Sequence, residues 1–281
     1  GKCWPWGFVF SCRSSTHTVG GRKMKLNIGI ETLHFKTFKG SADTQPIVQQ
    51  TQVAELEQYY SGMFHSNGMV FSEKENKVES FLSSHEKISF AEMADSLLED
   101  VKLSHDLSEI GLIVLSHYTP DSQIGTSVTN YIMHKYGIEA MGFAISDHGT
   151  HAGFLGLKIA NDYIAALASK KALLLILYQK VVPYQSDFID VSKVENCGSA
   201  LLVSDAEKKN VKVVDYVSKD VFNPEDLYSE IEKEIHKLAD VHDLSENIIH
   251  GLTNVDLLGL GIQFKSLNVT NPAYVCSAHF A

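Results

Sequence analysis

Two uncharged runs constrain this chain more than anything else in it. They are Ile110-Gly-Leu-Ile-Val-Leu-Ser116 and Ala172-Leu-Leu-Leu-Ile-Leu-Tyr178. A solvent-facing strand alternates apolar and polar residues, whereas these runs are apolar at almost every position. Each reads as a strand covered on both faces, which for Ile110–Ser116 points to a parallel sheet. Neither is long enough to cross a membrane as a helix, which takes about 20 apolar residues.

The segments around these runs alternate in type. Met24-Lys-Leu-Asn-Ile-Gly-Ile30 opens a plausible first strand, and Ile47–Tyr60 and Ser89–Leu103 place apolar residues at helical spacing. Ser89 and Glu92 form a capping-box pattern at the start of the second helix. Ser127–Lys135 reads as a helix ending near Gly137, Ala140–Ser146 as a strand, and His151–Ala168 as a long apolar helix. Cys197–Ser204 and Val211–Val217 read as further strands, and Pro224–Leu238 as an amphipathic helix started by Asn223-Pro224. Strands and helices that alternate in this way predict an α/β layered fold.

Composition narrows the function classes. The chain has 281 residues and a net charge of −10. Residues 1–23 hold four basic residues and no acid, which leaves 20 basic against 34 acidic residues from Met24 onward. So acidic a body argues against nucleic-acid binding through a broad basic surface. The thirteen histidines show no zinc spacing, and four cysteines are too few for a disulfide scaffold. The expectation is a protein with no cofactor, no nucleic-acid partner and no membrane span, in the cytoplasm. Residues 1–23 contain both tryptophans and read as a non-native or disordered extension, with Met24 as the natural start.

The cysteines fall at Cys3, Cys12, Cys197 and Cys276, so none lies between residues 13 and 196. That gap excludes thiol chemistry in mid-chain and becomes specific once three motifs are set in order. Asp106-Leu-Ser-Glu-Ile-Gly-Leu-Ile-Val-Leu-Ser-His-Tyr-Thr-Pro-Asp121 is the first. Phe143-Ala-Ile-Ser-Asp-His-Gly-Thr-His-Ala-Gly-Phe-Leu-Gly-Leu157 is the second, and Val194-Glu-Asn-Cys-Gly-Ser-Ala-Leu-Leu-Val-Ser204 the third. Together they resemble a β-ketoacyl-acyl-carrier-protein synthase III of the thiolase superfamily. The first resembles the family's strand followed by Ser-Pro-Asp, the second its nucleophile turn, and the third its Gly-Asp-Gly-Ala strand.

The resemblance implies a thiolase-like layered fold (α-β-α-β-α) built from two related halves. Residues 24–205 would be the N-terminal half and 206–281 a partial C-terminal half, so the second half is expected to be incomplete. It implies an acyl-CoA or acyl-carrier-protein partner, and a homodimer or a heterodimer with a synthase subunit. It also implies carbon–carbon bond formation on an acylated cysteine at a helix N-terminus, where the dipole lowers the thiol pKa and backbone N–H groups receive an oxyanion.

The site departs from that pattern. With Ala152-Gly153-Phe154 set on the family's Ser-Gly-Phe, the cysteine position holds His151. Thr150 is a weak nucleophile if His148 or His151 serves as its base. The other reading is that the nucleophile is lost and His151 caps or plugs the old pocket, since an imidazole forms no stable acyl intermediate. Ile248-Ile-His-Gly-Leu-Thr-Asn254 resembles the family's His-Gln-Ala-Asn stretch, which makes His250 the match for its enolate-stabilising histidine. Ser277-Ala-His-Phe280 resembles a histidine variant of the last role and puts His279 there, ahead of Asn271. Cys197 stands at the aspartate of Gly-Asp-Gly and is expected to pack as a small apolar residue.

Overall fold

The computed structural model describes residues 22–40, 48–146, 152–167, 170–185, 195–208 and 212–218, with Lys233 and Lys237. Among the described residues, six strands and five α-helices with complete bounds follow one another in chain order. They are β1 (Arg22–Thr37), α1 (Gln50–Ser66), α2 (Val78–Ser83), α3 (Phe90–Lys102), β2 (Ile110–His117), α4 (Val128–Tyr136), β3 (Met141–Ile145), α5 (Ala152–Ala166), β4 (Lys171–Tyr178), β5 (Cys197–Asp205) and β6 (Lys212–Ser218). The strands form one sheet in the order β3-β2-β4-β5-β1-β6.

The two apolar runs are β2 and β4, side by side at the centre. β2 pairs in parallel with β3 and with β4, as its covered sequence predicts. The remaining ladders, β4–β5, β5–β1 and β1–β6, are antiparallel. The sheet is therefore mixed, a feature that continuous apolar runs do not reveal, because an antiparallel strand buried on both faces looks the same.

Side-chain alternation divides the sheet between two cores. Ile113, Leu115, Leu173, Leu175, Leu177, Ala200 and Leu202 pack against α3 and α4. Leu112, Val114, Leu174, Leu201 and Val203 face the other way, against Ala152, Leu157, Ala160 and Ile164 of α5. This is the α/β layering expected from the alternating elements, with helices on both faces of one sheet. A smaller cluster joins Val53, Tyr60 and Phe64 of α1 to Val78 of α2 and to Tyr184.

The helix boundaries have local causes. Ser89 Oγ accepts the Glu92 backbone N–H at 3.2 Å, and Glu92 Oε2 accepts the Ser89 N–H at 2.9 Å. The predicted capping box thus starts α3. Ser127 Oγ accepts from Asn130 N at α4, which stops at Gly137 with φ of 64°. That left-handed angle is the one glycine adopts without a Cβ penalty. The first helix begins at Gln50 and runs on to Ser66, later and longer than the predicted Ile47–Tyr60. Strand β1 extends to Thr37 and serves two neighbours, shifting register between Ile30 and Thr32 against β5 and between Lys25 and Ile28 against β6. α2 has no counterpart in the predicted elements. Pro224–Leu238, taken as a whole segment, lies outside the described residues.

Candidate functional site

The chain leaves β2 for β3 through α4 on one face of the sheet, and leaves β3 for β4 through α5 on the other. The two connections diverge around the C-terminal end of β2. In open α/β sheets such a divergence marks the crevice where ligands bind. The elements that converge there are the ends of β2, β3 and β4 and the beginning of α5.

Ser116 ties the strand end to the helix. It is fully buried, and its Oγ donates to the Ala152 carbonyl at 3.1 Å. One turn on, a Cβ at Gly156 would lie 3.1 Å from Ser116 Oγ, 3.3 Å from Leu174 and 3.4 Å from Val114. The absent side chain lets α5 lie close on β2 and β4. At the opposite end of the helix, Tyr163 Oη donates to the Gly111 carbonyl at 2.7 Å. The start of α5 is thereby held over the end of β2, where its unpaired first-turn N–H groups can receive negative charge.

The residues expected to act chemically flank this point. His148, Thr150 and His151 fall in residues 147–151, between Ile145 of β3 and Ala152 of α5, and lie outside the described residues. His250 and His279 lie outside them as well. What the structure shows is the frame on either side, the strand end at Ser146 and the helix start at Ala152.

Other residues of this region carried no predicted role. Tyr118 stands 6.0 Å from Tyr178, ring to ring, and packs both beside Cys197 and against the α1–α2 cluster. Burial pushes its hydroxyl above the ordinary tyrosine range. Thr119 Oγ1 accepts from Gln179 N at 2.7 Å, and the fully buried Gln179 donates through Nε2 to the Ile88 carbonyl at 2.6 Å. Asn196 links three segments: its Oδ1 accepts from Lys180 N, its Nδ2 donates to the Glu86 carbonyl, and its carbonyl accepts from Phe38 N. Cys197 is buried and packs with Ile176 and Tyr178, as expected of a small apolar residue. The signal available in the sequence was His117-Tyr-Thr-Pro-Asp121, with polar residues following directly on the apolar run Ile110–Ser116. Polar residues there mark a strand end, but not which partner each one holds.

On the α3–α4 face the same strand end opens into a cavity of about 250 Å³. Phe90, His117, Asp121, Ser127, Thr129 and Asn130 are among its walls. Asp121 Oδ1 accepts the backbone N–H of Phe90 at 2.9 Å and of Gln123 at 3.2 Å. Its Oδ2 is sealed from solvent and meets no hydrogen-bond donor among the described residues. Burial pushes this carboxyl above the ordinary aspartate range, against the downward pull of the Phe90, Gln123 and Ser122 N–H groups and of His117. His117 lies 5.5 Å from Phe90, ring to ring, and its Nδ1 is 3.0 Å from the Thr119 carbonyl.

Among the described residues no group of acidic, histidine or cysteine side chains is placed to hold a metal. Among them, too, no helix is long and apolar enough to cross a membrane.

The chain matches no protein-family model and no curated protein sequence. Remote likenesses occur among solved structures. The curacin-pathway HMG synthase in complex with acetyl donor-ACP is 18% identical, with a TM-score of 0.40 over 64% of this chain and 42% of that one. PksG, an HMG-CoA synthase from Bacillus subtilis, is 16% identical, with a TM-score of 0.38 over 64% of this chain and 40% of that one. A variant of OleA from Xanthomonas campestris is 13% identical, with a TM-score of 0.40 over 66% of this chain and 60% of that one. The chain thus spans about two fifths of either synthase's length. Likenesses this remote fix neither a substrate nor an activity for the chain.

Proposed function

We propose that this chain belongs with the thiolase superfamily and acts on acyl thioesters as an acyltransferase of the β-ketoacyl synthase III type, with a degenerate nucleophile site. The observation that carries the reading is the junction of β3 and α5. The segment resembling the family's nucleophile turn falls between a parallel strand and a helix whose start is held at the strand ends by Ser116 and Gly156. A helix N-terminus in that position can stabilise an oxyanion.

In the active form of this reading, Thr150 attacks the thioester carbonyl while His148 or His151 takes the hydroxyl proton. A C–O bond forms, the C–S bond breaks, and the proton passes to the leaving thiolate. His250 and His279 would complete the site from the second half. The acyl group would arrive on coenzyme A or on an acyl-carrier protein, the kind of partner named for the curacin synthase complex. The pathway served would be fatty-acid or secondary-metabolite assembly.

The histidine at the cysteine position favours a second reading, in which the chain is a non-catalytic paralogue paired with an active synthase subunit. β3 is the terminal strand of the sheet order, with β2 as its single neighbour among the described residues, and Met141 at its start is 54% exposed. Such an edge offers unpaired backbone groups to another strand, whether of a second copy or of a related subunit.

Intact-mass measurement after incubation with a labelled acyl thioester separates the two. A covalent adduct lost in Thr150→Ala or His151→Ala supports the active enzyme and excludes the inert paralogue. No adduct and no hydrolysis alone, with activity restored by co-expression with a synthase, supports the paralogue.

A further inference from the structure

We propose that the Asn67–Gly68 turn at the end of α1 is a self-modification site, where the Gly68 backbone nitrogen attacks the Asn67 side-chain amide and water completes a deamidation that releases the last turn of the helix. The inference stands independently of the acyl-thioester reading.

Of the chain's asparagines, only Asn67 is followed by glycine. The ring-forming step needs atoms of these two residues alone. A bond forms from Gly68 N to Asn67 Cγ, the Cγ–Nδ2 bond breaks, and the side-chain nitrogen leaves as ammonia with the Gly68 amide proton. Water then opens the cyclic imide at one of its two carbonyls, which leaves an aspartyl or an isoaspartyl residue. A side chain on the following residue would crowd the attacking nitrogen. Gly68 has none, and a Cβ there would meet nothing within 4 Å. Both residues are exposed to the water that the second step consumes.

The same turn holds the reaction back while it is closed. Gly68, with φ of 74°, donates its N–H to the His65 carbonyl at 2.9 Å, and Met69 N donates to the Phe64 carbonyl at 2.9 Å. These two bonds make a Schellman end, and Phe64 and Met69 meet in one apolar cluster, the contact that often accompanies it. Asn67 Nδ2 donates to the Met63 carbonyl at 2.8 Å. Nucleophile and target are thus both engaged, so the attack proceeds from the frayed turn. Fraying costs little at an exposed helix end that rests on a cluster smaller than either sheet core.

Conversion runs one way. A carboxylate has no N–H for Met63, and it sets negative charge at the C-terminal end of α1, where the helix dipole opposes it. An isoaspartyl residue also adds a carbon to the backbone before Gly68 and displaces both Schellman donors. The altered turn does not close again as it was. The cluster it loosens is the one against which Tyr118 packs, just beyond the end of β2.

The test is peptide mapping by mass spectrometry on the full chain, aged at physiological temperature in mildly alkaline buffer. The peptide holding Asn67 is expected to show the amide-to-carboxyl mass gain before any other asparagine peptide, split between aspartyl and isoaspartyl forms. An intact Asn67 when other asparagines have converted would overturn the proposal. Asn67→Asp reproduces the aspartyl product. Its amide exchange at Gly68 and Met69 is expected to be about fivefold faster, as for the loss of one ordinary hydrogen bond, with β2, β4 and β5 unchanged. Unchanged exchange at the end of α1 would overturn the release. The mapping on the unmodified chain stands whatever the variant does.

Discussion

Asp121 shows how one side chain combines a structural duty with an electrostatic cost. Its Oδ1 caps the backbone at Phe90, where α3 begins, and its Oδ2 is buried without a donor among the described residues. Because burial raises its pKa, the folded chain holds the proton to higher pH than the unfolded chain does. The linkage sign follows: stability from this group is fully present below the unfolded value of about 3.9 and is lost as pH rises through the folded value. Asparagine cannot titrate. The Asp121→Asn variant is therefore expected to gain on the parent chain between acid and neutral pH, read as urea midpoints across that range. Parallel pH curves for the two proteins would refute this account. At this scale the sequence was least informative. It named His148, Thr150 and His151 from their place in a motif, but the burial of Gln179 and the pinning of Asp121 depend on segments far apart in the chain.

Elements were more legible, for a physical reason. The Ser89–Glu92 box, the strand Ile110–Ser116 and the glycine stop at Gly137 are all written within a few residues. The structure places α3, β2 and the end of α4 accordingly. Ser89→Ala removes the acceptor for Glu92 N and the hydroxyl donated to Glu92 Oε2, while the Ser89 backbone N–H bond to Glu92 remains, so a loss of about 1 kcal/mol is expected from equilibrium urea unfolding. A change within error would mean that tertiary packing alone holds the first turn of α3. α2 escaped notice because its six residues span less than two turns. Its position is set by Asn76 bridging to Tyr184 and by Lys77 N bonding to the Pro183 carbonyl. The antiparallel half of the sheet was hidden differently. β5 is buried on both faces like β2, and strand direction leaves no mark on such a run.

For the molecule as a whole, stability should be uneven. β2, β4 and β5 are packed on both faces, while α1 and α2 rest on a smaller cluster tied to Tyr184. Native-state hydrogen exchange is expected to be slowest in those three strands and to open α1 and α2 well before them. Uniform protection across both regions would show a single cooperative unit instead. The α/β class was readable from alternation alone. The five candidate site residues were reached by resemblance, and all fall outside the described residues.

The long strand β1 also sets a schedule. Glu31 and Ser204, whose side chains meet at 2.6 Å, are 173 positions apart. Both neighbours of β1 come from beyond Asn196 in the chain. At synthesis rates of about 5–20 residues per second, β1 would leave the ribosome roughly ten to thirty seconds before its partners exist. Through that interval a sixteen-residue strand has two open sides. The charged residues along its sequence, Arg22, Lys23, Lys25, Glu31 and Lys36, then oppose pairing with the wrong chain, so charge along β1 guards the nascent protein before Glu31 and Lys36 form their contacts in the folded one.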